Sequence, residues 1–265
     1  VRSIISWTKN GALYSLLVAP LERINDTTTA NAQDYSGNGN HGTIVGATWG
    51  ATSGFDGGGY DFDGGNDEIR FTDIDAIDTA TELTVMLWVN NDVTTNDDLL
   101  IEKSQANSDG WTLFRDESVS GKTDTYRIRV FDSADTSSSS ISSVTGASVA
   151  GVWTHVAFTY EQGSSTGLRL YINGLEDSNS PSSTTGITAI DAGTNQLIIG
   201  EKGNGGKDFD GKLDEILVFN RSFSADEIYA ISQDRTDEIT NHSTTLGDVW
   251  SATVCPNDGT IDGTC

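Results

Sequence analysis

Much of this chain consists of short segments in which apolar and polar side chains alternate with a period of two, separated by glycine turns. In residues 154–160, Val156, Phe158 and Tyr160 fall on one face of an extended chain. Successive side chains of a strand point to opposite faces, so this period predicts β-strands. Further strands are predicted at 66–71, 83–89, 126–131, 168–172 and 197–200, with turn signals at 63–65, 173–174, 203–206 and 210–211. The pattern predicts an all-β, two-sheet antiparallel sandwich.

Three segments depart from the strand pattern. Ser224 and Glu227 have the spacing of a capping box, which predicts a helix beginning at this point. Residues 73–78 are interpreted as a loop with helical tendency. Residues 132–143 contain four consecutive serines and are predicted to form a mobile loop between strands.

The charge of the chain argues against two classes of partner. Its 265 residues include 39 Asp plus Glu and 15 Lys plus Arg, a formal net charge of −24. A field of this sign repels nucleic-acid phosphates and anionic lipid. No stretch approaches the roughly 20 apolar residues of a membrane helix. We expect no nucleic-acid partner, no membrane insertion in this segment, and an extracellular or cell-surface location.

The two cysteines and three glycosylation sequons are consistent with that location. Cys255 and Cys265 enclose a nine-residue loop, which predicts a local disulfide in an oxidising compartment. Free thiols, or pairing with sequence beyond Cys265, are the alternatives. The sequons at Asn25, Asn220 and Asn241 mark candidate glycosylation sites.

Six motifs occur in the order in which they appear in one family. They are DYSGNGNHG at 34–42, YDFDGGNDEI at 60–69, LTVMLWV at 83–89, WTHVA at 153–157, LYING at 170–174, and FDGKLDEI at 209–216 followed by NRSFS at 220–224. Together they resemble the laminin-G-like, concanavalin-A-like jelly-roll family. The resemblance implies a jelly roll of two curved sheets, which we assign to residues 21–235. Many such domains are calcium-stabilised binding or adhesion modules.

The same resemblance implies a structural calcium ion between the opening loop and the last strand. It nominates Asp34, Asn40 and Asp214 as ligands, with carbonyl groups near Gly37 and Gly42. Calcium takes six to eight hard oxygen ligands, and a loop rich in Asp, Asn and Gly can supply them. The alternative is a simple turn, with Asp214 as a surface carboxylate.

Carbohydrate binding requires an exposed aromatic platform beside polar groups. Trp111, Tyr126 and Arg127 are the candidates, although a tryptophan in a strand is commonly a core residue. We predict that Trp88 and Trp153 lie in the core.

Catalysis has weaker support than binding. A glycoside hydrolase would need two carboxylates roughly 5–9 Å apart on one face, and no strand with alternating Glu and Asp occurs. His155 is interpreted as a satisfied structural histidine of the core. We predict that the protein is not an enzyme.

The two ends have a different character. Residues 1–20 contain ISWTKNG at 5–11, and residues 236–265 contain GDVWSATVCPNDG at 247–259; these resemble strands of immunoglobulin-like surface repeats. Neither end has enough strands to bury a core alone. One interpretation is that the jelly roll is inserted into one Ig-like domain whose halves pair. The other is that each half completes a neighbouring copy or domain, as in a surface filament. Both predict that the terminal strands are paired.

These observations lead to three hypotheses of function. The first is a non-catalytic extracellular structural or adhesive protein, part of a larger surface assembly or filament. The second is a calcium-dependent, lectin-like module that binds glycans. The third is a polysaccharide hydrolase or lyase.

Overall fold

The computed structural model describes residues 2–22, 31–92, 97–104, 109–116, 123–133, 137–190, 193–201, 206–233 and 243–257. For residues 2–6, 31 and 257 it describes the backbone. Within these ranges, no helix is long and apolar enough to cross a membrane.

The described chain consists almost entirely of strands. The elements are β1 Arg2–Lys9, β2 Ala12–Leu13, β3 Leu17–Ala19, β4 Asn31–Ala32, β5 Gly42–Val45, β6 Thr48–Gly50, β7 Gly59–Asp63, β8 Glu68–Arg70, α1 Asp75–Asp78, β9 Glu82–Asn91, β10 Asp98–Lys103, β11 Trp111–Asp116, β12 Thr125–Phe131, β13 Ser138–Ser142, β14 Thr154–Glu161, β15 Leu168–Ile172, β16 Leu175–Glu176, β17 Ile198–Ile199, β18 Asp210–Phe219, α2 Ala225–Ser232 and β19 Trp250–Asn257.

Two eight-stranded antiparallel sheets form the sandwich. Sheet I has the order β13-β12-β11-β10-β17-β8-β5-β4, and sheet II has the order β16-β15-β14-β9-β18-β7-β6, with β3 also paired to β18. Their inner faces meet in one core, where the rings of Trp111 in sheet I and Phe158 in sheet II lie 5.2 Å apart. The predicted all-β, two-sheet antiparallel sandwich is confirmed.

Sheet II buries residues on both of its faces. On its inner side, Val156 and Phe158 of β14 face the shared core. On its outer side, Ala157 belongs to a second apolar cluster with Phe223 and Ile228 from the segment around α2. Burial of each large apolar side chain contributes about 1.5–3 kcal/mol. Because both faces contribute, α2 is fixed against sheet II.

The serine-rich segment is a strand, and the prediction of a mobile loop at 132–143 was wrong. Residues 138–142 form β13, which pairs with β12 along the edge of sheet I. Ile141 lies opposite Ile128 and is buried in the core, while Ser138 and Ser140 are exposed. Buried and exposed residues alternate here as in any strand, but Ile141 is the single apolar residue of β13. The apolar/polar pattern therefore does not reveal this strand.

The terminal strands pair with each other within the chain, as one of the two interpretations predicted. β1 and β19 form an antiparallel ladder of eight residue pairs, from Arg2 opposite Asn257 to Lys9 opposite Trp250. The turn at Asn10 leads into β2, which completes a three-stranded sheet in the order β19-β1-β2.

Residues 17–19 belong to the sandwich, although the sequence placed them in the N-terminal segment. They form β3, which pairs with β18 in sheet II. Leu17 and Ala19 are fully buried in the shared core. The sandwich therefore includes residues 17–19, whereas it was predicted to begin at residue 21.

Aromatic and polar contacts attach the terminal sheet to the sandwich. The ring of Tyr14 lies 4.8 Å from that of Trp250 and 5.9 Å from that of Phe219 in β18. The guanidinium of Arg221 lies 4.7 Å from the centre of the Tyr14 ring. Ser243, just ahead of β19, hydrogen-bonds to both Tyr14 and Glu227.

The predicted capping box at α2 is confirmed, and its acidic member links three segments. The Ser224 amide donates to Glu227 over 2.8 Å, and the Glu227 amide donates to the Ser224 hydroxyl. Arg221 also donates to Glu227, over 2.7 Å. Burial alone would raise the pKa of Glu227, but hydrogen bonds from Arg221, Ser243 and Ser224 outweigh burial and lower that pKa to about 2.

We predict that Glu227 stabilises the fold in a pH-dependent manner. Because its pKa is lowered on folding, its contribution is present above the ordinary glutamate pKa and is lost as pH falls from roughly 5 towards about 2. In urea unfolding, Glu227→Gln should therefore cost most stability near pH 7 and progressively less at acid pH. The exposed neighbour substitution Asp226→Asn should have a small effect. A Glu227→Gln cost that stays constant from pH 7 to pH 2 contradicts this prediction.

Candidate functional site

The loop at residues 51–58 connects β6 to β7 and folds over the outer face of sheet II. Its backbone passes close to itself at two glycines. A Cβ atom at Gly54 would lie 2.0 Å from the Gly58 carbonyl oxygen, and one at Gly58 would lie 2.6 Å from the Trp49 ring. No larger side chain fits at either position. The local GFDGGG sequence therefore permits a close-packed loop that presents Phe55.

Phe55, Trp88 and Trp153 form a cluster that we call the aromatic corner. The Phe55 ring is stacked on Trp88, with ring centroids 3.5 Å apart and planes inclined by 7°. Trp153 stands at 78° to Phe55, with centroids 6.1 Å apart. Phe55 is 36% exposed, and both tryptophans are partly exposed. The rings of Phe55 and Trp153 therefore form two nearly perpendicular, partly exposed aromatic surfaces.

Polar side chains lie beside the aromatic corner in the neighbouring row of sheet II. Asn90, Lys212 and Asp61 are adjacent in register on β9, β18 and β7. Lys212 forms an ion pair with Asp61 over 3.0 Å. The Asn90 side-chain oxygen is buried and has no hydrogen-bond partner in the described part of the chain. An aromatic surface with adjacent amide, ammonium and carboxylate groups can bind a polyhydroxylated ligand.

The structure corrects the predicted aromatic positions. Trp111 and Tyr126 are fully buried, so they cannot form a platform. The binding role was wrong for both residues, and the alternative of a core position is confirmed for Trp111. Trp88 and Trp153 were predicted to be core residues, but they lie on the outer face of sheet II. All four occur in or next to alternating strands, and the alternation does not reveal which face of a strand is covered. Arg127 lies on the outer face of sheet I, where it forms an ion pair with Asp116 over 3.1 Å.

Sequence reasoning did not single out Phe55. The only signal was an aromatic residue inside a glycine-rich loop, a position at which a core residue is not expected. Its contact with Trp88 joins positions 33 apart in sequence, so no local period could predict it.

The opening loop is organised by Asp34, whose carboxylate accepts hydrogen bonds from four donors. These are the amides of Val18 at 3.1 Å, Ser36 at 2.8 Å and Asn40 at 2.9 Å, and the Ser36 hydroxyl at 2.8 Å. The Asn40 side chain donates to the Leu16 carbonyl. Donors surround the carboxylate where a cation would have to bind, so this arrangement does not fit calcium.

The two glycines nominated beside Asp34 have packing roles. A Cβ atom at Gly42 would lie 2.7 Å from Ile69, and one at Gly37 would lie 3.0 Å from Leu13. His41 accepts a hydrogen bond from the Asp34 amide over 3.1 Å. These residues shape the loop.

Asp214 contacts a different segment, the loop at residues 54–58. Its carboxylate accepts hydrogen bonds from the amides of Phe55, over 2.8 Å, and Glu215, over 3.0 Å. Glu22 approaches the same loop and accepts from the Gly58 amide over 3.2 Å. Both carboxylates are buried. Sequence reasoning identified Asp214 but missed Glu22, which follows an apolar segment and carries no motif of its own.

An acidic cluster at α1 is organised by a lysine. Metal-ligating atoms of Asp73, Asp75 and Asp78 lie within 4.8 Å of one another. The fully buried Lys103 ammonium lies 2.6 Å from Asp73 and 2.9 Å from Asp78. The positive charge of Lys103 thus offsets the negative charge of these carboxylates without a metal ion.

His155 is buried beneath the aromatic corner. Its ring centroid lies 5.3 Å from that of Trp88, and its Nδ1 atom has no hydrogen-bond partner in the described ranges. Burial lowers its pKa to about 3. A ring that stays neutral and packs against Trp88 has a structural role.

The remaining nominated positions lie at the edge of the described chain or outside it. Cys255 is disulfide-bonded, and Cys265 lies outside the described residues. Asn25 and Asn241 also lie outside them. Asn220 is exposed directly after β18, and its glycosylation stays a prediction.

The two antiparallel sheets and their shared core define a jelly-roll β-sandwich domain. Residues 63–229 match the family model described as the concanavalin A-like lectin/glucanases superfamily. That match covers more than half of the chain, and the chain belongs to this superfamily. No curated protein sequence matches it at a significant level.

Solved structures share the fold at low sequence identity. The binding domain of Paraclostridial Mosquitocidal Protein 1 has a TM-score of 0.64 and 17% identity, over 83% of this chain and 52% of that one. The botulinum neurotoxin serotype G binding domain has a TM-score of 0.62 and 13% identity, over 83% and 51%. The chain thus spans about half the length of these two domains.

A third similar structure is matched over its whole length. It is domain 4 of AbnA, a GH43 extracellular arabinanase from Geobacillus stearothermophilus, in complex with arabinotriose. Its TM-score is 0.59 and its identity 20%, over 83% of this chain and 100% of that one.

We predict that the His155 ring stays neutral from pH 8 to about pH 4, because its pKa lies at about 3. Its imidazole ¹⁵N chemical shifts should not change over this range, whereas free histidine in the same sample titrates near pH 6.5. The unfolded chain binds the proton first, so His155 lowers stability as pH falls below about 6.5. Titration of His155 near pH 6 contradicts its burial.

Proposed function

We propose that this protein is a non-catalytic, extracellular glycan-binding domain whose ligand stacks on the aromatic corner. The exposed Phe55 ring, stacked on Trp88 and flanked by Trp153, carries the proposal. The apolar C–H face of a sugar ring can lie on Phe55 and against Trp153, while Asn90, Lys212 and Asp61 bind its hydroxyl groups.

The corner is held rigid before a ligand arrives. Phe55 is fixed by stacking on one side and by its backbone hydrogen bond to Asp214 on the other. A surface that needs no ordering upon binding loses less conformational entropy, which favours affinity. The Asn90 oxygen, buried without a partner among the described residues, gains a hydrogen bond when a hydroxyl donor is present.

Relatives of similar fold support the class of ligand. One of the structures reported above was solved with arabinotriose, and two others are the binding domains of a mosquitocidal protein and of a botulinum neurotoxin. We propose an extracellular location for the same reason. An adhesive role at a surface, in an assembly or filament, fits a glycan-binding domain that carries a separate terminal sheet.

Truncation of the aromatic corner should weaken glycan binding without unfolding the protein. We expect Phe55→Ala and Trp153→Ala each to weaken binding at least about tenfold, because truncation of a central aromatic anchor commonly costs 2 kcal/mol or more. Binding is measured by affinity electrophoresis against neutral polysaccharides and by titration with arabinotriose.

Tyr229→Ala is the matched control, since Tyr229 is an exposed aromatic residue on α2, away from the corner. It should leave binding unchanged, and circular dichroism should show that every variant is folded. Equal losses in Tyr229→Ala and Phe55→Ala, or no retention of any glycan by the wild-type protein, contradict the proposed function.

We also propose that calcium stabilises this domain through Glu22, Asp214 and backbone carbonyls of residues 54–58. Both carboxylates are buried, and both accept hydrogen bonds from amides of this glycine-rich loop. Carboxylate and carbonyl oxygens are the hard ligands that calcium prefers. A bound ion would hold the loop that presents Phe55.

Thermal unfolding with calcium and with chelator tests this assignment. At a calcium concentration 100-fold above Kd, wild-type stability should rise by about 2.7 kcal/mol, which raises Tm by roughly 5 °C for a domain of this size. Asp214→Asn and Glu22→Gln should lose that shift. Asp34→Asn should lower Tm equally in both conditions and keep the shift. A shift retained in Asp214→Asn, or lost in Asp34→Asn, refutes the assignment.

A further inference from the structure

Two arginines lie side by side on the outer face of sheet I. Arg127 and Arg129 alternate along β12 with Tyr126, Ile128 and Val130, which are buried in the core. Residues two apart on a strand share a face, with roughly 7 Å between their Cα atoms. Both side chains are partly exposed. Because the chain has 15 basic and 39 acidic residues, two adjacent cations on one face are unusual for its surface.

Among the described residues, Asp116 is the carboxylate that interacts with this pair. Arg127 forms an ion pair with Asp116 over 3.1 Å. The guanidinium of Arg129 lies 4.7 Å from the centre of the Phe131 ring. The Arg129 guanidinium makes neither a hydrogen bond nor an ion pair with the described residues. Burial and then the charge of Arg127 lower its pKa, and Asp116 opposes them only in part.

Other polar atoms around the pair also lack hydrogen bonds in the described ranges. The Arg127 Nε and Thr112 Oγ1 atoms are buried and have no hydrogen-bond partner there. Thr112 lies opposite Arg129 on β11, and Ser140 lies opposite it on β13. A buried donor without a partner is unfavourable, so a ligand that accepts its hydrogen bond is bound more tightly.

The arrangement matches the chemistry of an oxyanion. A guanidinium donates to the two oxygens of a carboxylate or sulfate in a planar, bidentate manner. Ser140, which is exposed on the strand beside Arg129, can bind a neighbouring hydroxyl of a sugar. The carboxylate on this face that could repel an oxyanion is that of Glu102, which lies opposite Thr112 in register. It is two strands from Arg129, roughly 10 Å away.

We propose that Arg127 and Arg129 form a second binding site, which takes the carboxylate or sulfate group of an acidic saccharide. The site lies on sheet I, and the aromatic corner lies on the opposite sheet. The choice of a saccharide rests on the proposed function, whereas the oxyanion site itself does not.

Substitution of Arg129 tests the site. Arg129→Gln should weaken binding of trigalacturonate or of galactose 6-sulfate at least about tenfold and leave neutral galactose oligosaccharides unaffected. The two acidic probes distinguish a carboxylate site from a sulfate site. Arg129→Lys keeps the charge but not the bidentate geometry, and should recover only part of the affinity.

Arg169→Gln is the matched control. It removes the same charge from the outer face of sheet II, where Arg169 forms an exposed ion pair with Glu176. Equal losses in Arg169→Gln and Arg129→Gln would indicate a general effect of net charge and overturn the site. Acidic saccharides that bind the wild-type protein no more tightly than neutral ones would also overturn it.

Inorganic sulfate separates failure of this site from failure of the proposed function. Its binding is followed through the Nε–H signals of the arginines by NMR. If sulfate shifts the Arg129 signal while no saccharide binds, the oxyanion site stands and the proposed function fails. If the Arg129 signal does not move and neutral glycans still bind at the aromatic corner, the site fails and the proposed function stands.

Discussion

The change of partner along β18 determines the arrangement of sheet II and its outer face. Residues 210–213 pair with β7, and residues 216–218 pair with β3. Between them the register with β9 shifts, and Glu215 adopts a positive φ of 55°. This bulge lies beside Asp214, which binds the loop that carries Phe55. A bulge changes the direction of side chains locally. Here it follows Asp214, whose carboxylate hydrogen-bonds to the backbone of Phe55.

The sequence predicted the strands well because alternation is a local property. It predicted the capping box at Ser224 and Glu227 for the same reason. It did not predict which face of a strand is covered, since that depends on neighbouring elements. Trp111 and Trp88 both lie in strands, yet the shared core covers Trp111, and the loop at 51–58 stacks Phe55 on Trp88. Glu22 and Phe55 reach the site through contacts distant in sequence.

The two proposed sites divide the surface by chemistry. The aromatic corner on sheet II offers apolar rings with a few polar neighbours, and the arginine pair on sheet I offers positive charge and hydroxyl groups. The net charge of −24 repels a polyanion at long range. An acidic saccharide would therefore be recognised by short-range contacts at Arg129 and would gain no electrostatic steering. Screening by salt weakens that repulsion.

The pairing of β1 with β19 also has a mechanical consequence. Arg2 lies opposite Asn257 at one end of the ladder, and Lys9 lies opposite Trp250 at the end that joins the sandwich. Tension applied between residues 2 and 257 would peel the ladder open one residue pair at a time, beginning at Arg2. The jelly roll would carry no force until the pair at Trp250 had parted. Under such tension, the terminal sheet would extend before either sheet of the sandwich deforms.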